Sequence, residues 1–343
     1  MEIKTVGIDL GKTSFHLVAC NQAGRPITRH KFNRRQFSQF IANLPPCLIG
    51  MESCPGSQHF ARTFKQYGHD VRLIAPQFIR PYLKGQKNDF NDAEAIAKAV
   101  DRPTMRFVAV KTNDQLDLQA VHRIRTRLVS ERTAVINQMR GFLIEYGLAV
   151  KEGRAALRRE IPGILEDANN GLSPRMRQLI AKQCDHWKAL EAQIAEVTRE
   201  IEAVAKDHED CRRLVTIPGV GPLVATALVA AVGNGATFRK GRELAAWLGL
   251  VPRQHSTGGK PKLLGISKRG NRYVRILLIH GARSCLQHLK RGQHQLGAWM
   301  TQLEQRAHKN KVAVALANKL ARIAWAVLAR GEVYRPGVLA AST

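Results

Sequence analysis

Short apolar runs separated by polar turns fill the first hundred residues. Apolar positions alternate over residues 3–10, 14–20 and 26–32, which predicts three successive strands joined by Gly or polar turns. A buried strand is expected at 47–52, a helix at 57–67, a strand at 71–75 and a helix at 93–100. From about 113 to 208 the period changes to that of long helices. Trp187, Leu190, Ile194, Val197, Ile201 and Val204 step by three and four, the spacing of a coiled-coil seam, and Ile124, Leu128, Val135, Met139 and Phe142 keep the same frame. Pro162, Gly163, Gly171 and Pro174 interrupt the pattern, so the two helices are expected to form a hairpin, packed either within the chain or against a second copy. Further on, residues 213–227 read as helix, a Pro218-Gly219-Val220-Gly221 turn and a second helix. Such a helix-hairpin-helix can face a phosphate with its backbone amides, or be only a tight turn. A helix at 311–330 buries Val312, Leu316, Leu320, Ile323 and Val327 and turns Lys311, Lys319, Arg322 and Arg330 outward.

Three meandering strands followed by β, α, β, α is the order of an α/β ribonuclease H-like fold, an order with which other α/β folds also begin, and a helical segment and a mainly α C-terminal domain follow. The expected boundaries are 1–112, 113–210 and 211–343. Composition narrows the function. Of 343 residues, 54 are Lys or Arg and 27 are Asp or Glu, a net charge of +27, while 44% apolar content supports folded cores and excludes a wholly disordered basic chain. Such a charge repels itself unless a polyanion neutralises it, which points to nucleic acid. Residues 251–343 sharpen this, with 17 Lys or Arg against Glu304 and Glu332. The longest apolar run, 224–232 with Thr226 inside it, is far short of the roughly 20 residues that span a bilayer. No signal-peptide pattern precedes the first strand, and six scattered cysteines show no CxxC pair. A cytoplasmic protein without structural zinc or membrane contact is expected.

In a chain short of acids, carboxylates at strand ends call for an explanation. Val6-Gly7-Ile8-Asp9 and Leu48-Ile49-Gly50-Met51-Glu52 both close an apolar run with an acid, and Asp89 and Asp92 lie three apart on one face of a helix start. Four hard oxygen ligands placed so could hold two Mg²⁺ about 4 Å apart, the arrangement used for in-line phosphodiester displacement. Taken singly, each acid has an ordinary alternative: Asp89 as an N-cap, Asp92 as a helix-dipole partner, Glu52 as a surface acid. The run from Gly7 to Thr13 also resembles the phosphate hairpin of sugar kinase and actin-like ATPases. Those proteins need a second copy of the fold, and the C-terminal two-thirds here is helical and shows none.

The motifs Gly-Ile-Asp9, Met-Glu52-Ser, Asn-Asp89-x-x-Asp92 and Ile-Pro218-Gly-Val-Gly-Pro, together with Leu-Gly-Leu-Val-Pro252-Arg-Gln-His-Ser-Thr-Gly-Gly-Lys260 and Gly265-Ile-Ser-Lys-Arg-Gly-Asn-Arg-Tyr, span nearly the whole chain. On them the sequence resembles the DEDD transposases of bacterial insertion-sequence family 110, its 1111 subgroup in particular. The resemblance implies a RuvC-like nuclease domain carrying the four acids, a coiled-coil dimerisation segment giving a dimer or tetramer, and a C-terminal domain with a nucleophilic serine. It also implies a noncoding guide RNA that pairs with donor and target double-stranded DNA. The family places the serine immediately before the loop glycine, where this chain has Thr257 with Ser256 one residue earlier; Ser256 is assigned because its primary hydroxyl is less hindered, with Thr257 in reserve and Ser267 a weaker candidate. A serine hydroxyl needs activation. No His or Lys motif marks a base, so the expectation is that the serine loop works together with the Mg²⁺ cluster, while Lys260, Lys268, Arg269, Arg272 and the amides of Gly219 and Gly221 contact the nucleic-acid backbone. The runner-up is a Holliday-junction resolvase that uses the same acids without a covalent intermediate.

Overall fold

The computed structural model describes residues 2–86 and 88–336, and the chain divides into two compact units between Thr112 and Asn113. The first unit runs β1 (Thr5–Leu10), β2 (Ser14–Cys20), β3 (Pro26–Asn33), α1 (Arg34–Ala42), β4 (Leu48–Glu52), α2 (Ser57–Gln66), β5 (Asp70–Ile74), α3 (Pro76–Ile79), α4 (Asp89–Val100) and β6 (Phe107–Val108). Its sheet has the order β3-β2-β1-β4-β5-β6. The first three strands form an antiparallel meander, β4 and β5 add parallel to β1, and β6 closes the edge antiparallel. That is the ribonuclease H-like order with one short strand added.

Strand alternation sorts the two faces. Val6, Ile8, Phe15, Leu17, Ile49, Met51 and Leu73 pack with Phe37 and Ile41 of α1 and Phe60 and Phe64 of α2. Phe15 stacks on Phe37 with centroids 4.6 Å apart, and each such fully buried side chain contributes on the order of 2–3 kcal/mol of burial. On the opposite face lies α4, with Ala93 and Ala97 against Val18 and Cys20, and Ile96, Ala99 and Val100 against Ile74. α4 comes close because β1 and β4 offer glycines there: a Cβ on Gly7 would lie 2.0 Å from the Ala93 carbonyl oxygen, and one on Gly50 2.8 Å from Val100 Cβ. α1 goes beyond the sequence reading. Its start is a capping box, Asn33 accepting from the Gln36 amide while the Gln36 side chain accepts from the Asn33 amide.

In the second unit, α5 (Asn113–Glu145), α6 (Arg154–Glu166) and α7 (Pro174–Asp207) precede α8 (Glu209–Val215), α9 (Pro222–Val232) and α10 (Gly241–Trp247). A hairpin, β7 (Pro252–Gln254) and β8 (Leu263–Ile266), then leads to α11 (Arg272–His288), α12 (Gln295–Glu304) and α13 (Lys309–Arg330). α5 and α7 pack antiparallel: Arg125 Nε donates to Thr198 Oγ1 at 2.9 Å, and Cys184 Sγ lies 3.8 Å from Met139 Sδ. The seam of α7 is buried at Trp187, Leu190, Ile194 and Ile201, within the chain itself. α6 continues through Pro162, where the sequence suggested a break, because Leu157 and Ile161 form an apolar stripe packed into the α5–α7 core. α13 is long and apolar enough to cross a membrane by length and composition. Half of its apolar window is buried inside the fold, where Val312, Leu316, Leu320 and Val327 pack in the core of this unit. Lys319, expected to face outward, lies instead over the Trp299 ring at 4.6 Å from its centroid.

Candidate active site

Parity along the strands places the first two acids. Asp9 stands two residues after Gly7 and Glu52 two after Gly50, so both carboxylates follow the glycines onto the face of α4, at the C-terminal ends of adjacent parallel strands. α4 supplies the other two in its first turn, Asp89 and Asp92. The cap of α4 is Asn88, whose side chain accepts from the Phe90 amide at 2.9 Å. Asp89 is therefore not spent on capping, and that alternative is set aside.

Asp9 feels the other three acids. Burial, then the negative charges of Asp92, Asp89 and Glu52, push Asp9 up to about 6, with His16 pulling the other way. A carboxylate held up by burial and by its neighbours' charge is one that a cation would relieve. His16, which the sequence reading passed over, is the cross-strand partner of Asp9, and its Nδ1 lies 3.5 Å from Asp89 Oδ2. Single ligand atoms of Asp9, His16 and Asp89 all fall within 4.8 Å of one another. Its signal in the sequence was a polar residue inside the apolar strand Ser14–Cys20, at the register that a tight turn after Leu10 sets opposite Asp9.

Ser256 and Thr257 lie in the second unit, on the exposed hairpin between β7 and β8. The hairpin turns at Gly258 and Gly259, both at positive φ (57° and 75°), and Thr257 pairs with Lys260 across the turn. The Gln254 side chain donates from Nε2 to Ser256 Oγ at 2.8 Å. The His255 amide donates to the Lys262 carbonyl, so the backbone here is held as a ladder. The base of the hairpin is clamped: Ser267 and Lys268 amides donate to Val251 and Gly249 carbonyls, and a Cβ on Gly270 would lie 1.7 Å from the Trp247 carbonyl oxygen. Lys268 has φ 55°, the single non-glycine residue in that region among the described residues. Lys260, Lys268, Arg269 and Arg272 are exposed.

Two further features come from the fold. Gly219, at φ 79°, presses on α11, where its missing Cβ would meet the Gly281 carbonyl oxygen at 2.5 Å, so the turn between α8 and α9 is also a close helix contact. Tyr273, the last residue of the long basic motif, is bonded at 2.9 Å to His122 Nδ1 of α5, whose Nε2 lies 3.0 Å from Thr226 Oγ1 of α9. Thr226 donates its own hydroxyl proton to the Pro222 carbonyl, so it accepts from Nε2–H and His122 Nδ1 accepts from the tyrosine. Burial, with Arg125 adding, pushes His122 down to about 4 and keeps it neutral in this lock.

An α/β sheet of ribonuclease H-like order, with carboxylates ending β1 and β4 and two more opening the helix laid across them, is consistent with a DEDD transposase domain. Comparison with known proteins says the same. The transposase profile of the DEDD IS110 type matches residues 6–147, and the profile described as Transposase IS116/IS110/IS902 family matches residues 211–296. The chain is 45% identical to the transposase for insertion sequence element IS1111A of Coxiella burnetii, over 98% of this chain and 92% of that one. It is 44% identical to the transposase for insertion sequence element IS1328 of Yersinia enterocolitica, over 97% and 98%. A Pseudomonas aeruginosa protein named "Probable family 20 transposase" is 45% identical, over 98% and 100%. The chain belongs to the IS110 family of DEDD transposases, and it is an enzyme that acts on DNA.

Proposed function

We propose that this transposase cuts and rejoins DNA strands at element ends and target through a phosphoserine intermediate, with a divalent metal held by Asp9, Glu52, Asp89 and Asp92. The observation that carries the metal reading is that the charges of Asp92, Asp89 and Glu52 all act on Asp9, itself held up to about 6, while ligand atoms of Asp9, His16 and Asp89 fall within 4.8 Å of one another. Hard oxygens in that number fit Mg²⁺, in one or two ions. When bound, the metal supplies Lewis-acid polarisation of the phosphoryl oxygens and lowers the pKa of a hydroxyl.

Ser256 carries the covalent step. Its Oγ attacks phosphorus, the Oγ–P bond forms, the P–O bond to the DNA strand breaks, and the departing DNA hydroxyl takes up the proton that the serine loses. Attack by a DNA hydroxyl on the phosphoserine reverses this, so the phosphoester bond energy is kept and no nucleotide cofactor is required. Thr257, one residue on, is the reserve nucleophile. The Gly258–Gly259 turn and the clamp at its base favour a presented, ordered hydroxyl.

Lys260, Lys268, Arg269 and Arg272 bind phosphates around that loop, and Gly219 and Gly221 offer amides at the α8–α9 turn, a helix-hairpin-helix use that stands beside the structural one. The charge of +27 suits a protein that carries a guide RNA as well as duplex DNA. Because the α7 seam is already buried within the chain, a dimer or tetramer would form through the outer face of the α5–α7 pair, where Ile124, Ile144 and Leu179 are exposed.

The test incubates the purified chain with Mg²⁺, co-purifying RNA and DNA bearing element ends, and looks for a covalent protein–DNA adduct on a denaturing gel. The reading expects an adduct that disappears in Ser256→Ala and in Asp9→Asn. Cleavage by wild-type protein without any adduct would establish hydrolysis at the acids instead, the resolvase chemistry.

A further inference from the structure

We infer that His16 is a direct nitrogen ligand of the divalent metal at the acid cluster, so that the site ranks transition-series divalent ions above Mg²⁺. This rests on the reading that the acids hold a metal, and it adds a fifth donor of a different chemical kind.

The register comes first. Asp9 and His16 are direct partners in the antiparallel β1–β2 pair, so their side chains leave the sheet on the same face, next to each other. That is also the face that α4 covers, and His16 is only 7% exposed there. A buried imidazole calls for a partner on its ring nitrogens. The nearby acid is Asp89, and the 3.5 Å between Nδ1 and Oδ2 is longer than the roughly 2.7–3.2 Å of an N–H···O bond. The same separation suits two ligands of one ion. Donors about 2.1 Å from a shared cation stand about 3.0 Å apart when at right angles and about 4.2 Å when opposed. The 3.5 Å spacing lies between those limits, and Asp9 brings a third ligand atom within 4.8 Å of both.

The ring is also held in orientation. Phe90 meets His16 edge to face, with centroids 4.9 Å apart and planes at 82°. Because Phe90 follows Asp89 on α4, the helix that supplies the carboxylate also sets the imidazole. With Nδ1 ligating, the ring proton sits on Nε2. Three or four carboxylates alone make a site of Mg²⁺ character. One imidazole among them shifts it toward Mn²⁺ and its heavier neighbours, which bind nitrogen more tightly than Mg²⁺ does.

The experiment uses the full chain and Mn²⁺ as probe. Calorimetric titrations with Mn²⁺ and with Mg²⁺ are paired with pulsed electron paramagnetic resonance of the Mn²⁺-loaded protein, read for ¹⁴N coupling. The expected result is ¹⁴N coupling in wild type that is lost in His16→Phe, which keeps a ring against Phe90. Mn²⁺ affinity falls by about tenfold or more in that variant while Mg²⁺ affinity moves by less than about threefold. His16→Gln is the second variant, and the wild-type spectrum decides by itself if neither folds. Mn²⁺ that is displaced by Asp9→Asn yet shows no ¹⁴N coupling in wild type overturns the ligand assignment and leaves the acid site standing. An equal loss of both ions in His16→Phe overturns it too. Absence of any Mn²⁺ or Mg²⁺ binding sensitive to Asp9→Asn brings down the metal reading and this inference together.

Discussion

Gly7 of β1 and Gly50 of β4 are register partners across the parallel strand pair, and both lie directly under α4. Two missing side chains thus set how near the helix bearing Asp89 and Asp92 comes to the strands bearing Asp9 and Glu52. In Gly7→Ala the new Cβ would lie 2.0 Å from the Ala93 carbonyl oxygen and 2.4 Å from the Ala97 amide, so backbone must move. The variant should lose about 1–3 kcal/mol by denaturant unfolding, and at least about tenfold in divalent-metal affinity by calorimetry. Wild-type values in both would show that α4 is not seated by this contact.

Metal affinity should depend on pH through Asp9. Its folded value, about 6, is above the ordinary 3.8, so the metal-free fold holds that proton more tightly than the unfolded chain does. Above pH 6 the carboxylate is anionic and ready to ligate. As pH falls through 6 a proton competes with the cation, and affinity should drop by up to about tenfold per unit. Titrations from pH 5 to 8 check this, and a flat profile contradicts it.

The His122 lock should make stability pH-dependent in the opposite sense to a salt bridge that needs protonated histidine. Folding lowers His122 to about 4 from its ordinary 6.5, so the unfolded chain binds the extra proton first. The contribution is fully present above pH 6.5 and is lost as pH falls toward 4. Between pH 8 and pH 5 this removes about 2 kcal/mol, measured as a shift in denaturant midpoint. His122→Gln should flatten that part of the profile, and an unchanged pH dependence in the variant would assign it to other groups.

Nucleic-acid affinity should be dominated by phosphate contacts. Residues 251–343 hold 17 Lys or Arg against two acids, and log K should fall with log salt at about −0.9 per neutralised phosphate on duplex DNA. Arg272→Ala should weaken binding about equally across sequences and reduce that slope by about one. Sequence-selective weakening would instead make Arg272 a base contact.

The nucleophile is decided between neighbours. Ser256→Ala should remove the covalent adduct and recombination while binding is retained, because one exposed hydroxyl is lost. An adduct that survives Ser256→Ala but not Thr257→Val moves the assignment to Thr257. If both variants recombine normally, the covalent step is not in this hairpin.

The meander and the β-α-β-α order were readable in residues 3–100 because strand alternation and helix period are local, as were Asp9, Glu52 and the Asp89–Asp92 spacing. The Asn33–Gln36 capping box is equally local, whereas the helix that runs on through Pro162 depends on an apolar stripe that outweighs a breaker. What the chain cannot display is proximity. His16 sits beside Asp9 only because the β1–β2 register pairs them, and Asp89 reaches both only because Gly7 and Gly50 let α4 lie against the sheet. The same holds for Tyr273, which stands in a basic motif and is tied to His122, 151 residues away. Side-chain type and spacing are carried by the sequence. Which side chains share a site depends on register and on how closely packed backbones approach, and those are set by contacts between residues far apart in the chain.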